Sequence, residues 1–149
     1  MPFFQHEQIL VDGFYRITFV AISKNNGKRH LNGRTIDKVA KYRATIKSIL
    51  QEYADTRQPA PAGEDVQHQL LFDEEHDHYQ LFCVGWSGLK RIYFPVFHLD
   101  IIHDKVWVQE DASDYDIVGV LEERGIPKSD IVLAFHAPYK RMHTGYAVA

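Results

Sequence analysis

Two histidine clusters hold the side chains with which this chain could do chemistry. Residues 73–79 read DEEHDHY, so His76 and His78 alternate and an extended backbone turns both rings to one side, with four carboxylates close by. Imidazole and carboxylate together suit zinc or nickel. In the second cluster His98 and Asp100 lie two apart on one strand face, and His103 follows in the turn beyond. Neither set is compelling by spacing alone. The first lacks a defined third ligand and reads as a solvated hairpin turn that keeps a sheet end wet. The second reads as a histidine hydrogen-bonded between strands. No metal and no cofactor is assigned.

The common enzyme templates are missing from the chain. There is no Gly-x-Ser-x-Gly elbow, no GxxxxGK[ST], no HExxH and no GxGxxG. Cys83 is the only cysteine and sits in an apolar strand, where a thiol is a small buried hydrophobe rather than a nucleophile. Glu122 and Glu123 are neighbours on a helix and point apart. No catalytic residue is assigned, and the chain is read as a non-enzyme. The carboxyl end concentrates His136, Tyr139, Lys140, Arg141 and His143 around Pro138. This stretch reads either as a tail strand that packs Tyr146 and Val148 on the sheet or as a recognition surface, since Tyr and Arg are common at interface hot spots. Tyr139, Lys140, Arg141, His136 and Trp86 are the candidate partner-binding residues.

These side chains need elements to position them. Thr35 is a candidate N-cap with Asp37 in the first turn. Ile36, Val39, Tyr42, Ile46, Ile49, Leu50 and Tyr53 recur at helical spacing. The other side of that helix carries Lys38, Lys41, Arg43 and Lys47, a solvated face or a candidate nucleic-acid face. Pro59 and Pro61 mark the loop at 56–63 that follows. Strands are expected over 66–73, 78–86, 89–102 and 105–110, and their short connections imply an antiparallel meander. Pro95 lacks a ladder donor and points to an edge or a bulge in its strand. Ser113 and Asp116 approximate a capping box for a second helix with Ile117, Val120 and Leu121 as its stripe. Gly125 takes the C′ position, and Pro127 forbids continuation. Residues 131–135 are a short strand or extended run against the sheet. The fold class expected is α+β: an antiparallel sheet of four strands or slightly more, flanked by an N-terminal and a C-terminal helix.

With 149 residues the chain is one domain long. No stretch reaches the roughly 20 apolar residues of a membrane span, no signal peptide is evident, and a single cysteine suits a reduced cytoplasmic compartment. Charge is divided unevenly. Residues 1–34 hold five Lys/Arg against two Asp/Glu (+3), and residues 35–149 hold twelve against eighteen (−6). DNA affinity comes mostly from neutralising phosphates, so an acidic body favours a protein partner over bare duplex. Residues 14–22 (FYRITFVAI) read as a strand and 23–34 as a basic loop or linker, an extension that is either an addition to the domain or upstream sequence read from an early start. A sheet edge at the Pro95 strand would need covering, for which a homo-oligomer is the commonest answer.

Four segments resemble the XisI family, the fdxN-element excision controlling factors of cyanobacteria: residues 35–54 (TIDKVAKYRATIKSILQEYA), 77–86 (DHYQLFCVGW), 98–111 (HLDIIHDKVWVQED) and 125–149 (GIPKSDIVLAFHAPYKRMHTGYAVA). The resemblance spans 35–149 and leaves 1–34 as an extension outside it. It implies a non-enzymatic accessory factor in programmed DNA excision during heterocyst differentiation, acting with an XisH-like partner and a site-specific recombinase. Because XisH-like proteins resemble nucleases, restraint of the partner in the manner of an antitoxin is one form this could take. A direct DNA-binding factor is the alternative, and a small metal-dependent enzyme built on the histidines stands behind both.

Overall fold

The structure, a computed structural model, describes residues 33–57 and 65–149. The strand and loop expected within residues 14–32, and the loop around Pro59 and Pro61, lie outside the described residues. Five strands form one sheet in the order β1-β2-β3-β4-β5: β1 Asp65–Asp73, β2 His78–Ser87, β3 Lys90–Ile102, β4 Lys105–Asp111 and β5 Ile131–Leu133. The first four make the expected antiparallel meander, and β5 joins β4 in parallel. Helix α1 (Gly33–Thr56) precedes the sheet, α2 (Ile117–Glu123) lies between β4 and β5, and a one-turn α3 (Pro138–Arg141) follows β5.

Helix α1 packs across β1, β2 and β3. Its stripe does what helical periodicity requires: Tyr42, Ile46, Ile49 and Leu50 are buried, with Val39 and Tyr53 packed at the margin. They meet the inward residues Tyr79, Leu81, Phe97, Leu99, Val106 and Val108. Tyr53 stands edge-on to Phe97 with ring centroids 4.9 Å apart, and against Tyr115 at 5.3 Å, a geometry that aromatic quadrupoles favour. Ile117 and Leu121 of α2 and Ile126 complete the same core at full burial. Cys83 is buried as expected, and burial pushes its thiol pKa up.

Two bulges interrupt the ladder. Leu81 faces Phe97 but Phe82 faces Pro95, so Val96 is an extra residue in β3. His98 faces Glu110 but Leu99 faces Val108, so Gln109 is an extra residue in β4. Pro95 thus lies at a bulge, and β4 pairs β3 only from Phe97 on, which gives the proline a strand on one side alone. As a whole β3 is an interior strand. The sheet edges are β1 and β5, so the edge expected at the Pro95 strand is not where the sheet ends.

Three local expectations shift. The first helix begins at Gly33, which puts Thr35 inside its first turn rather than at the cap; a capping side chain is only one of the signals that set a helix start. The second helix is capped by Asp116, whose Oδ1 accepts from Gly119 N at 2.9 Å. Ser113 instead accepts from Tyr115 N at 3.0 Å in a local turn, because the helix starts four residues beyond it. The tail after α3 forms turns rather than a strand: Ala147 bridges Val132 and Tyr146 packs against the core as expected, whereas Val148 is exposed. Gly125, at φ 89, does end α2 as expected.

Candidate functional site

Asp100 is the one charged residue buried among the described residues, at 5% exposure. It lies on the sheet face opposite α1. His78 is its cross-strand partner on β2, and His98 is two residues before it on the same face of β3. His78 Nδ1 lies 2.6 Å and His98 Nε2 3.0 Å from the same oxygen, Oδ1. Oδ2 accepts from Gln109 Nε2 at 2.8 Å. A carboxylate only accepts, so all three neighbours donate. Gln109 reaches Oδ2 because it is the extra residue of the β4 bulge, a device that re-aims a side chain out of the ladder's alternation. Trp107, the cross-strand neighbour of Asp100 on β4, stands beside the carboxylate, with the Arg141 guanidinium 5.3 Å over its ring. His76 stacks on His78 at 6.5 Å and holds Asp73 through Nδ1 at 2.8 Å.

The fold therefore regroups the histidines. One member of the first sequence cluster, His78, meets two of the second, His98 and Asp100, and these three bring their ligand atoms within 4.8 Å of one another. His103 stays in the β3–β4 turn at φ 50, exposed. Spacing along the chain could not show this grouping, because it depends on the register between β2 and β3.

On α1 the basic face is largely matched internally. Lys38 Nζ lies 2.7 Å from Asp130, Lys47 Nζ 2.7 Å from Glu74, and Arg43 forks onto Asp77. Lys41 is exposed. A phosphate would have to compete with those carboxylates.

At the carboxyl end the candidates divide by role. Arg141 donates from Nε to His136 O at 3.0 Å and from Nη2 to Ala134 O at 3.3 Å while stacking on Trp107, so it ties the tail to the sheet. Tyr139 and Lys140 are exposed on α3, where Pro138 opens the first turn. His136 is half-buried, its ring 4.7 Å from Phe135.

Trp86 sits elsewhere, at the β2–β3 hairpin. There Leu89 is fully exposed, and Tyr93, Trp86 and Phe94 are 66%, 48% and 41% exposed. The Arg91 guanidinium lies 5.6 Å over Trp86 and 6.0 Å over Tyr93, and Arg91 Nη1 donates to Gly85 O at 2.7 Å. The sequence reading singled out Trp86 but missed Leu89, Tyr93 and Phe94. The available signal was Leu89 directly after the turn glycine Gly88, with Tyr93 and Phe94 following on the returning strand.

The family profile described as XisI protein matches residues 36–148. The chain belongs to the XisI family. Its fold is similar to the crystal structure of a XisI-like protein from Anabaena variabilis ATCC 29413, with TM-score 0.69 and 42% identity over 74% of this chain and 99% of that one. It is also similar to the crystal structure of the fdxN element excision controlling factor XisI from the same organism, with TM-score 0.67 and 38% identity over 76% of this chain and 100% of the other. A comparison with curated proteins gives no match. The α+β fold with a mainly antiparallel sheet is thus that of XisI-like proteins. No helix among the described residues is long and apolar enough to cross a membrane.

Proposed function

We propose that this chain is an accessory factor controlling excision of a DNA element, and that it acts by contact with a protein partner, an XisH-like chain, in the recombinase's assembly. Family membership and the relative described as an excision controlling factor support the role in excision. The observation that carries the protein-contact reading is the hairpin end of β2 and β3. Trp86 and Tyr93 stand exposed on one face with Arg91 over both rings, and Leu89 is exposed in the adjoining turn; Trp, Tyr and Arg are the residue types that anchor interfaces. Large apolar side chains grouped on a surface mark a contact site, whereas scattered ones do not. The acidic body and the internally matched lysines of α1 favour protein over duplex.

Coexpression with an XisH-like chain and a tag on one partner tests this. Copurification at equal stoichiometry that is lost in Trp86→Ala/Tyr93→Ala, with folding unchanged, is the expected result. Separate elution of the two wild-type chains overturns it. Salt-sensitive binding to DNA by this chain alone would replace the protein-contact reading with direct DNA recognition.

A further inference from the structure

We propose that His78, His98 and Asp100 form a binding site for one transition-metal dication of the zinc type, with Gln109 as the residue that orients the carboxylate. Charge is the first argument. A buried carboxylate must be paired or must ligate a metal, and the groups that meet Asp100 are two imidazoles and an amide, none of which carries a fixed charge. A dication would supply it.

Donor chemistry and geometry agree with that. Two imidazole nitrogens and one carboxylate oxygen are a ligand set for Zn²⁺ and its neighbours. All three atoms lie within 4.8 Å of one another. In a tetrahedral site with bonds of about 2.0 Å the ligand atoms stand roughly 3.3 Å apart, so the present 2.6 and 3.0 Å contacts need only a small outward rotation of the rings. As the metal enters, each ring would carry its hydrogen on the other nitrogen, so that the nitrogen now facing Oδ1 offers its lone pair as a neutral imidazole ligand.

The frame is rigid and one side is open. All three ligands come from adjacent, paired strands, and Asp100 is fixed by Gln109 across the β4 bulge. A ligating carboxylate that is itself hydrogen-bonded is the usual outer-shell support of a metal site. The side chain of His78 is 50% exposed against 7% for Asp100, so solvent reaches the site from the His78 side. That leaves a fourth position for water or for an outside ligand.

The test uses the whole chain, stripped with chelator and titrated with Co²⁺, whose visible d–d absorption reports coordination, followed by Zn²⁺ competition. One equivalent of Co²⁺ per chain, displaced by Zn²⁺, is expected. Gln109→Leu should weaken binding by about 10- to 100-fold, and His98→Gln or His78→Gln by more. Because Asp100→Asn could disturb folding, the two Gln variants carry the test: glutamine still offers an N–H toward Asp100, and circular dichroism checks the fold. His103→Gln, in the exposed turn, should bind as wild type. Binding that is unchanged in both His98→Gln and His78→Gln, or no bound Co²⁺ in the wild type, overturns the proposal.

Discussion

Arg43 and Asp77 join α1 to the β1–β2 turn through two parallel bonds, Nε to Oδ1 at 2.7 Å and Nη2 to Oδ2 at 2.8 Å. The Tyr79 hydroxyl donates to the same Oδ1 at 2.9 Å. Asp77 sits at φ 62, a conformation that Asp and Asn tolerate better than most residues. The pair therefore fixes the backbone immediately before His78.

Burial raises the pKa of the Asp77 carboxyl, but the bonds from Arg43 and Tyr79 outweigh it and the net shift is downward. A lowered acid contributes stability above its unfolded pKa of about 4 and loses it as pH falls through the folded value. Asp77→Asn keeps the backbone conformation and removes this contribution. Since the Arg43 side chain is 36% exposed, screening holds the loss at neutral pH to about 1 kcal/mol. Denaturant melts of wild type and variant should differ at pH 7 and converge toward pH 2.

His68 gives a slope in a different window. Burial lowers its pKa, only partly opposed by a hydrogen bond with the Ala54 backbone, and its Nδ1 is buried without a hydrogen-bond partner among the described residues. The folded state holds the ring neutral, so stability is present above the unfolded pKa near 6.5 and falls as pH drops through the folded value. His68→Leu should flatten the melting temperature between pH 7 and 5 relative to wild type. An equal slope in both proteins would show that this ring is not the source.

Gly85 is a position where a methyl group cannot be placed. A Cβ there would stand 1.8 Å from Asp65 O and 2.6 Å from Val66 Cα, at φ 154. Gly85→Ala must push β1 off β2, so it should cost several kcal/mol or abolish folding. Gly88→Asn, at φ 58 with open space around it, should cost less than about 1 kcal/mol. A pair of thermal melts distinguishes the two.

At the carboxyl end, Tyr139→Ala/Lys140→Ala should leave stability within about 0.5 kcal/mol, because both side chains are exposed. Arg141→Ala removes the donors to Ala134 and His136 and uncovers Trp107. Limited proteolysis should then cut the tail after Leu133 faster in Arg141→Ala than in wild type, and at the wild-type rate in the double variant.

Much of the architecture is legible from the chain because it depends on local periodicity. The α1 stripe, the alternation Tyr79, Leu81, Cys83 in β2 and the stop at Gly125 and Pro127 each follow from neighbours a few residues away. What escapes depends on register. His78 meets Asp100 only once the β2–β3 pairing is known, and Gln109 reaches Asp100 only once the β4 bulge is known. Likewise Arg141 reads as a free basic group until Trp107 and two backbone carbonyls are brought to it. The parallel strand β5 pairs with β4 through three residues, too short a run for periodicity to identify its partner.

Val96 changes the phase of β3. Before it, Ile92 and Phe94 take the inward pairings opposite Gly85 and Cys83; after it, Phe97 and Leu99 do so opposite Leu81 and Tyr79. Even numbers point inward on one side of this residue and odd numbers on the other, and Val96 and Phe97 are buried side by side where the count changes. The strand behaves as two frames joined by one inserted letter. Deleting that letter would leave every side chain unaltered in kind, yet one half of the strand would have to turn its apolar residues to the wrong face or slip its pairing. The length between Ile92 and Leu99 is therefore as much a part of the fold's specification as the residues that fill it.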